Sequence, residues 1–174
     1  MPTSEIDDAY ARLFQVEFPL VRRTVYLMIH DAEAAEDLTQ EAFVQALLHW
    51  SKVSRFERPD AWVRRVAIRL AVRHLKRESK RVLVEASMES TAASESLDLD
   101  VINAIRHLPP QQRAVLVVYY YEDRPMKEIA DMLGISESTS RQRLSALFGR
   151  VGAQNAAQAV WALRRELERE GHLR

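Results

Sequence analysis

The stretch MKEIADMLGISESTSRQRLSALF (Met126–Phe148) decides how this chain is read. Ile129, Ala130 and Leu133 recur at the spacing of one helical face. Gly134 follows where the backbone must turn, and Ile135 plugs the corner. Ser136 is a good cap for a second helix, whose buried side continues through Leu144 and Leu147. Ala130 is small enough for a close crossing of the two helices. The opposite side of the second helix presents Glu137, Ser138, Thr139, Arg141, Gln142 and Arg143. Arginine and glutamine are the side chains that pair in bidentate fashion with guanine and adenine in the major groove. The pattern predicts a helix-turn-helix that reads duplex DNA; a helical hairpin used only for packing is the competing reading.

Outward from that motif the chain is helical throughout. Only four glycines occur in 174 residues, and no strand-like alternation runs beyond a few residues. Further helices are expected over Pro110–Tyr121 and up to about His107, with one after the motif over Gln154–Glu170. On the N-terminal side, one helix runs from Ile6 to His30, bent or interrupted near Pro19. A second follows Asp31, its N-cap, to about Trp50, and a third starts at Pro59 and ends near Lys80. Between the arms, Glu85 to Asp98 is rich in Ser, Ala, Thr and Glu and has no apolar period, as a linker would. The fold class is all-α: two small helical domains, residues 1–81 and 100–174, joined by a flexible linker, 82–99.

The net charge of zero conceals a sorted distribution. Trp62 to Arg81 holds eight basic residues against Glu78 alone, a net +7, whereas Val82 to Asp100 carries −5. On the third helix Arg65, Arg69, Arg73, Lys76 and Lys80 fall within an arc of about 80°. Val63, Ala67, Leu70, Ala71 and Leu75 lie roughly opposite. An apolar back with an arginine front suits a phosphate backbone, because each neutralised phosphate releases counterions. A merely solvated basic face would carry that self-repulsion for no return. Trp50, Phe56 and Trp62 bracket the loop Ser51–Pro59; stacking on unpaired bases is open to them, but core packing is the preferred role of the two tryptophans.

The second helix has two faces. Ala35, Leu38, Ala42, Phe43, Ala46 and Trp50 form a core stripe. The other side holds Asp37, Gln40, Glu41, Val44 and Leu48, two apolar residues among polar ones. Periodicity alone leaves two readings of that side: cover by another helix of the same domain, which is the commoner case, or docking of a protein partner.

Other classes are disfavoured. The histidines are scattered without ligand spacing, and no Gly-rich phosphate loop or HExxH pattern occurs, so neither enzymatic activity nor a bound metal or cofactor is expected. There is no cysteine, and no apolar run approaches the roughly 20 residues of a membrane span. The expected location is cytoplasmic, without membrane insertion.

The stretches AEDLTQEAFVQAL (Ala35–Leu47) and FERPDAWVRRVAIRLAVRHLKR (Phe56–Arg77) resemble region 2 of the extracytoplasmic-function group of bacterial sigma factors. LPPQQRAVLVVYYYEDRPMKEIADMLGIS (Leu108–Ser136) resembles their region 4. The resemblance implies a transcription-initiation factor. Asp37, Gln40, Glu41, Val44 and Leu48 would then dock on core RNA polymerase. The loop Ser51–Pro59, where a flipped base would be held, and Arg65, Arg69, Arg73 and Lys76 would engage and open the −10 element of promoter DNA. Glu137, Ser138, Thr139, Arg141, Gln142 and Arg143 would read the −35 element. Many members are held by an anti-sigma factor, a partner the resemblance implies without any residue pattern showing it.

Three departures from the family pattern stand out. Arg69 replaces a frequent asparagine, and Ser140 replaces a buried valine of the recognition helix. The chain also continues as GRVGAQNAAQAVWALRRELEREGHL (Gly149–Leu173), similar to the end of LuxR-type regulators. There the extra helix either covers its own domain, the preferred reading, or pairs two subunits as a homodimer. A stand-alone LuxR-like regulator is the alternative function; it leaves the docking face and the basic helix unused.

Overall fold

The computed structural model describes residues 3–85 and 105–151, together with Trp161, Arg164, Arg165, Glu168 and Arg169. Among these the secondary structure is entirely helical. We number the helices α1 (Thr3–Ile29), α2 (Ala32–Leu48), α3 (Trp50–Val53), α4 (Pro59–Glu85), α5 (Pro110–Tyr120), α6 (Met126–Leu133) and α7 (Glu137–Val151). The expected helix over Gln154–Glu170 lies mostly outside the described residues, as does the expected linker beyond Glu85.

Helices α1, α2 and α4 pack on one another to form a first module, and α5, α6 and α7 form a second. The expected break at Pro19 does not occur: α1 runs through it. Pro19 and Gln15 both lie on the exposed side, so the carbonyl deprived of its amide partner is left facing water rather than the core. At the other end of this module α4 extends past Lys80 to Glu85. Asp31 caps α2 as expected, its carboxylate accepting from the Ala34 amide at 2.9 Å. α2 stops at Leu48, and Trp50 begins the separate short helix α3.

The expected apolar stripes are where the modules close. Ala35, Ala42, Phe43 and Ala46 of α2 are buried, with Leu38 half-buried; Val63, Ala67, Leu70, Ala71 and Leu75 of α4 are buried as well. Each fully buried large side chain among them, Phe43 for one, contributes roughly 1.5–3 kcal/mol. Trp50 is buried with its ring edge-on to Tyr10 (centroids 5.3 Å apart), and the Tyr10 hydroxyl donates to the Phe43 carbonyl at 2.8 Å. Trp50 therefore serves the core.

The two modules do not hang apart. α1 and α4 pack against α5, and α4 also against α6, so that one apolar cluster runs from Val21, Val25 and Met28 to Val115, Leu116 and Val118. The end of α1 is sealed from the second module. Arg113 of α5 donates to the Met28 carbonyl at 2.8 Å, to the Leu108 carbonyl at 3.3 Å, and to the Arg106 carbonyl. A guanidinium thus satisfies a helix C-terminus that would otherwise be buried without a partner. Burial, with Arg106 nearby, lowers the Arg113 pKa to about 10, still far above neutrality.

His30 ends α1 in the left-handed region (φ 56°), and both its ring nitrogens are buried without a hydrogen-bond partner. Burial, reinforced by Arg106 and Arg113, lowers its pKa from 6.5 to about 3. The folded state therefore holds the imidazole neutral, while the unfolded chain takes up a proton below 6.5. This contribution is complete above pH 6.5 and is lost as the pH falls toward 3. Thermal midpoints measured across that window are expected to fall more steeply for the native chain than for His30→Asn, since asparagine tolerates the same backbone without the ring.

Candidate nucleic-acid and protein interfaces

The turn between α6 and α7 is built as the sequence demands. Gly134 adopts φ 65° and ψ 38°, the left-handed conformation that ends a helix at least cost for glycine. The Ile135 amide returns to the Ala130 carbonyl at 3.0 Å. Ser136 then caps α7, its hydroxyl accepting from the Thr139 amide at 3.1 Å. Glu137, Ser138, Arg141 and Gln142 are exposed, and Arg141 pairs with Glu137 one turn before it. Thr139 and Arg143 are less available. Both are half-buried; the Thr139 hydroxyl is engaged with Ser136, and one Arg143 terminal nitrogen is buried.

The basic face of α4 leaves Arg65, Arg69, Arg73 and Lys76 exposed. Arg69 is nevertheless already engaged. Its Nε donates to the Met132 carbonyl at 2.9 Å and its Nη2 to the Asp131 carbonyl at 3.4 Å, capping the C-terminus of α6. Beside it a cavity of about 370 Å³ is lined by Arg69, Val72, Arg73, Lys76, Gln111 and Gly134 among others. Three cations converge there at the edge of the helix-turn-helix.

Arg64, the neighbour of that face, points the other way. It is 7% exposed, with Glu17 at 2.7 Å and Glu122 at 3.0 Å. Glu122 also accepts from the hydroxyl of Thr24. Arg64 is one of the eight basic residues counted between Trp62 and Arg81, and the charge count did not reveal this role. The only available signal was its angular position among Val63, Ala67 and Ala71.

On α2 the side opposite the core is bare. Asp37, Gln40 and Glu41 are exposed, Val44 is 52% exposed and Leu48 75%. No other described helix covers this side, so the commoner reading, cover by the same domain, does not hold. Leu47, at 49% exposure, extends the apolar part of the patch and was not singled out from periodicity. Phe56, in the loop before α4, is 37% exposed, and Arg58 in the same loop pairs with Asp60 at 2.8 Å.

Comparison with known proteins follows the two modules. Residues 13–81 match the family model for Sigma-70 region 2, and residues 98–146 match that for Sigma-70, region 4. The stretch Gly149–Leu173 lies beyond both, and its expected likeness to LuxR-type regulators finds no support in these matches.

The chain is 27% identical over 153 residues to the RNA polymerase sigma-E factor of Streptomyces avermitilis, covering 85% of this chain and 84% of that protein. It is 26% identical over 154 residues to the ECF RNA polymerase sigma factor SigM of Bacillus subtilis, covering 79% and 94%. A probable RNA polymerase sigma factor, RfaY, of Xanthomonas campestris is 26% identical over 154 residues; the match spans 79% of this chain but only 38% of that longer protein. Among solved structures, the sigma factor RpoE from Bartonella quintana, in complex with the anti-sigma factor NepR, superposes with a TM-score of 0.65. That match has 20% identity and covers 86% of this chain and 99% of that one, a likeness of fold.

One consequence concerns the buried face of α7. Ser140 is fully buried and its hydroxyl has no hydrogen-bond partner. A buried unsatisfied hydroxyl costs about 1–3 kcal/mol. Ser140→Val should raise the unfolding free energy by about 1 kcal/mol in denaturant titration, while the exposed side of α7 keeps its residues.

Proposed function

The chain belongs to the sigma-70 family of RNA polymerase sigma factors, in its extracytoplasmic-function group, and from that premise we propose how its surfaces divide the work of promoter-specific initiation. The first module, residues 1–81, binds core RNA polymerase and the −10 element, and the second, residues 100–174, binds the −35 element. Catalysis belongs to the polymerase; this chain supplies recognition.

The observation that carries the assignment is the coexistence of three unlike surfaces on one small helical chain. The α2 face, with Val44 and Leu48 exposed among Asp37, Gln40 and Glu41, has the make-up of a protein-docking site: apolar anchors ringed by polar groups. The α4 face, through Arg65, Arg69, Arg73 and Lys76, meets phosphates and the opened −10 strand. The α7 face reads base edges. Exposure favours Glu137, Ser138, Arg141 and Gln142 as the direct readers, with Thr139 and Arg143 holding the helix end and its packing. A stand-alone regulator would use only the last of these surfaces. The Bartonella sigma factor was solved with an anti-sigma factor bound, and we extend that kind of partner to this chain.

Run-off transcription with purified core polymerase over a promoter library tests the assignment directly. The chain should form a stable complex with core and redirect start sites; binding to duplex DNA alone, without a holoenzyme, would refute it. Within that assay Leu48→Asp should weaken core binding by about tenfold or more. Arg141→Ala and Gln142→Ala should each cost about 1–3 kcal/mol of discrimination at the −35 element. By contrast, Arg73→Ala should lower affinity for all sequences and reduce the salt slope by about one.

A further inference from the structure

The cavity of about 370 Å³ beside α4 has an unusual charge balance. Arg69, Arg73 and Lys76 form its cationic side, Val72 and Leu133 its apolar part, and Gln111 and Gly134 close it from α5 and the turn. No carboxylate is among these lining residues. The α4 arginines that pair with carboxylates are Arg64 and Arg81. Among the described residues Arg73 and Lys76 pair with none. Like charges gathered without counterions repel one another, and a bound anion relieves that repulsion.

One of the three cations is fixed in advance. Arg69 donates through Nε and Nη2 to the Met132 and Asp131 carbonyls, which holds the guanidinium plane. Its Nη1 has no partner among the described residues. A guanidinium already ordered by the fold loses little further freedom when it takes an anion. The α6 carbonyls offset part of its charge, so Arg73 and Lys76 supply most of the attraction.

Size and spacing select the ligand. The volume sits at the lower end of the roughly 300–1,000 Å³ of small-molecule sites. Residues 69 to 76 span about 10 Å along the helix, so one isolated charge cannot meet all three cations. Two or three linked phosphates can. We infer that this cavity binds the di- or triphosphate group of a small molecule, with Arg69, Arg73 and Lys76 on the phosphate oxygens and the Gln111 carboxamide donating from the α5 wall.

A nucleic-acid backbone offers the same phosphate chemistry. The wall formed by Gln111, Leu133 and Gly134 favours a compact anion over a continuous strand. The inference goes beyond the reading of α4 as the −10 contact and draws on it for one consequence: ligand and promoter strand compete for the same cations.

Calorimetric titration of the full chain with inorganic tripolyphosphate, in magnesium-free buffer at about 0.15 M salt, tests the site. One equivalent should bind, and sulfate should bind more weakly by about tenfold or more. Lys76→Glu and Gln111→Glu should each weaken tripolyphosphate binding by about tenfold or more. Lys80→Glu makes the same charge change as Lys76→Glu on an exposed residue outside the cavity. It should weaken binding less than about threefold, because salt screens charges beyond about 8 Å. Circular dichroism checks that all three variants remain helical.

Absence of tripolyphosphate binding overturns the site. So does equal weakening by Lys76→Glu and Lys80→Glu, the mark of general charge attraction. An unchanged affinity in Gln111→Glu overturns it too, since the anion then lies on the open face of α4. Displacement of a fluorescent single-stranded promoter oligonucleotide by tripolyphosphate separates the two phosphate sources. Oligonucleotide binding without tripolyphosphate binding strikes the site and leaves the DNA reading of α4. Tripolyphosphate binding as expected, with no displacement of the oligonucleotide, strikes the DNA reading at these residues and leaves the site.

Discussion

A guanidinium buried at 7% exposure must be paired, and Arg64 draws one of its two carboxylates from the other half of the molecule. That constraint helps to tie the two modules. Glu122 lies just past the end of α5, at the turn leading into the helix-turn-helix, so fixing it fixes where α6 begins. The same seam carries two further arginines, each closing the end of a helix it does not belong to. Arg113 of α5 seals the end of α1, and Arg69 of α4 seals the end of α6. Helix C-termini carry partial negative charge and orphan carbonyls, so a cation supplied by the neighbouring module satisfies both at once.

Around this seam the functional surfaces point elsewhere. The bare side of α2 and the exposed side of α7 are free of intramolecular cover among the described residues. Only the α4 face overlaps the contact between modules, and only through Arg69. The proposed protein-docking and duplex-reading surfaces are therefore open as they stand, while the face of α4 proposed to engage the −10 element meets the second module at Arg69. Polar contacts and a shared apolar cluster together join the modules there.

Much of this was legible beforehand. Period-3.6 stripes located the cores of α2 and α4, and the Ala130–Gly134–Ser136 spacing located the helix-turn-helix. Charge sorting located the basic face. What failed was local inference about partners. Pro19 argued for a break that the solvated side of α1 does not need. Arg64 reads as one more surface cation, because the carboxylates that neutralise it lie 47 and 58 positions away. Thr139 and Arg143 share the recognition face in sequence, yet the Ser136 cap engages one and packing half-buries the other. The cover or exposure of Val44 and Leu48 depended on where every other helix went.

By itself, the sequence determined the helices, their buried sides and the turn at Gly134, since these follow from periodicity, capping chemistry and charge within a few turns of chain; regions 2 and 4 were recognised by resemblance. Tertiary structure alone decided which surfaces stay open, that the modules share an apolar cluster, and that Arg64, Arg69 and Arg113 reach across it. Those outcomes depend on contacts between residues tens of positions apart, where burial and electrostatics act through space and leave no periodic trace along the chain.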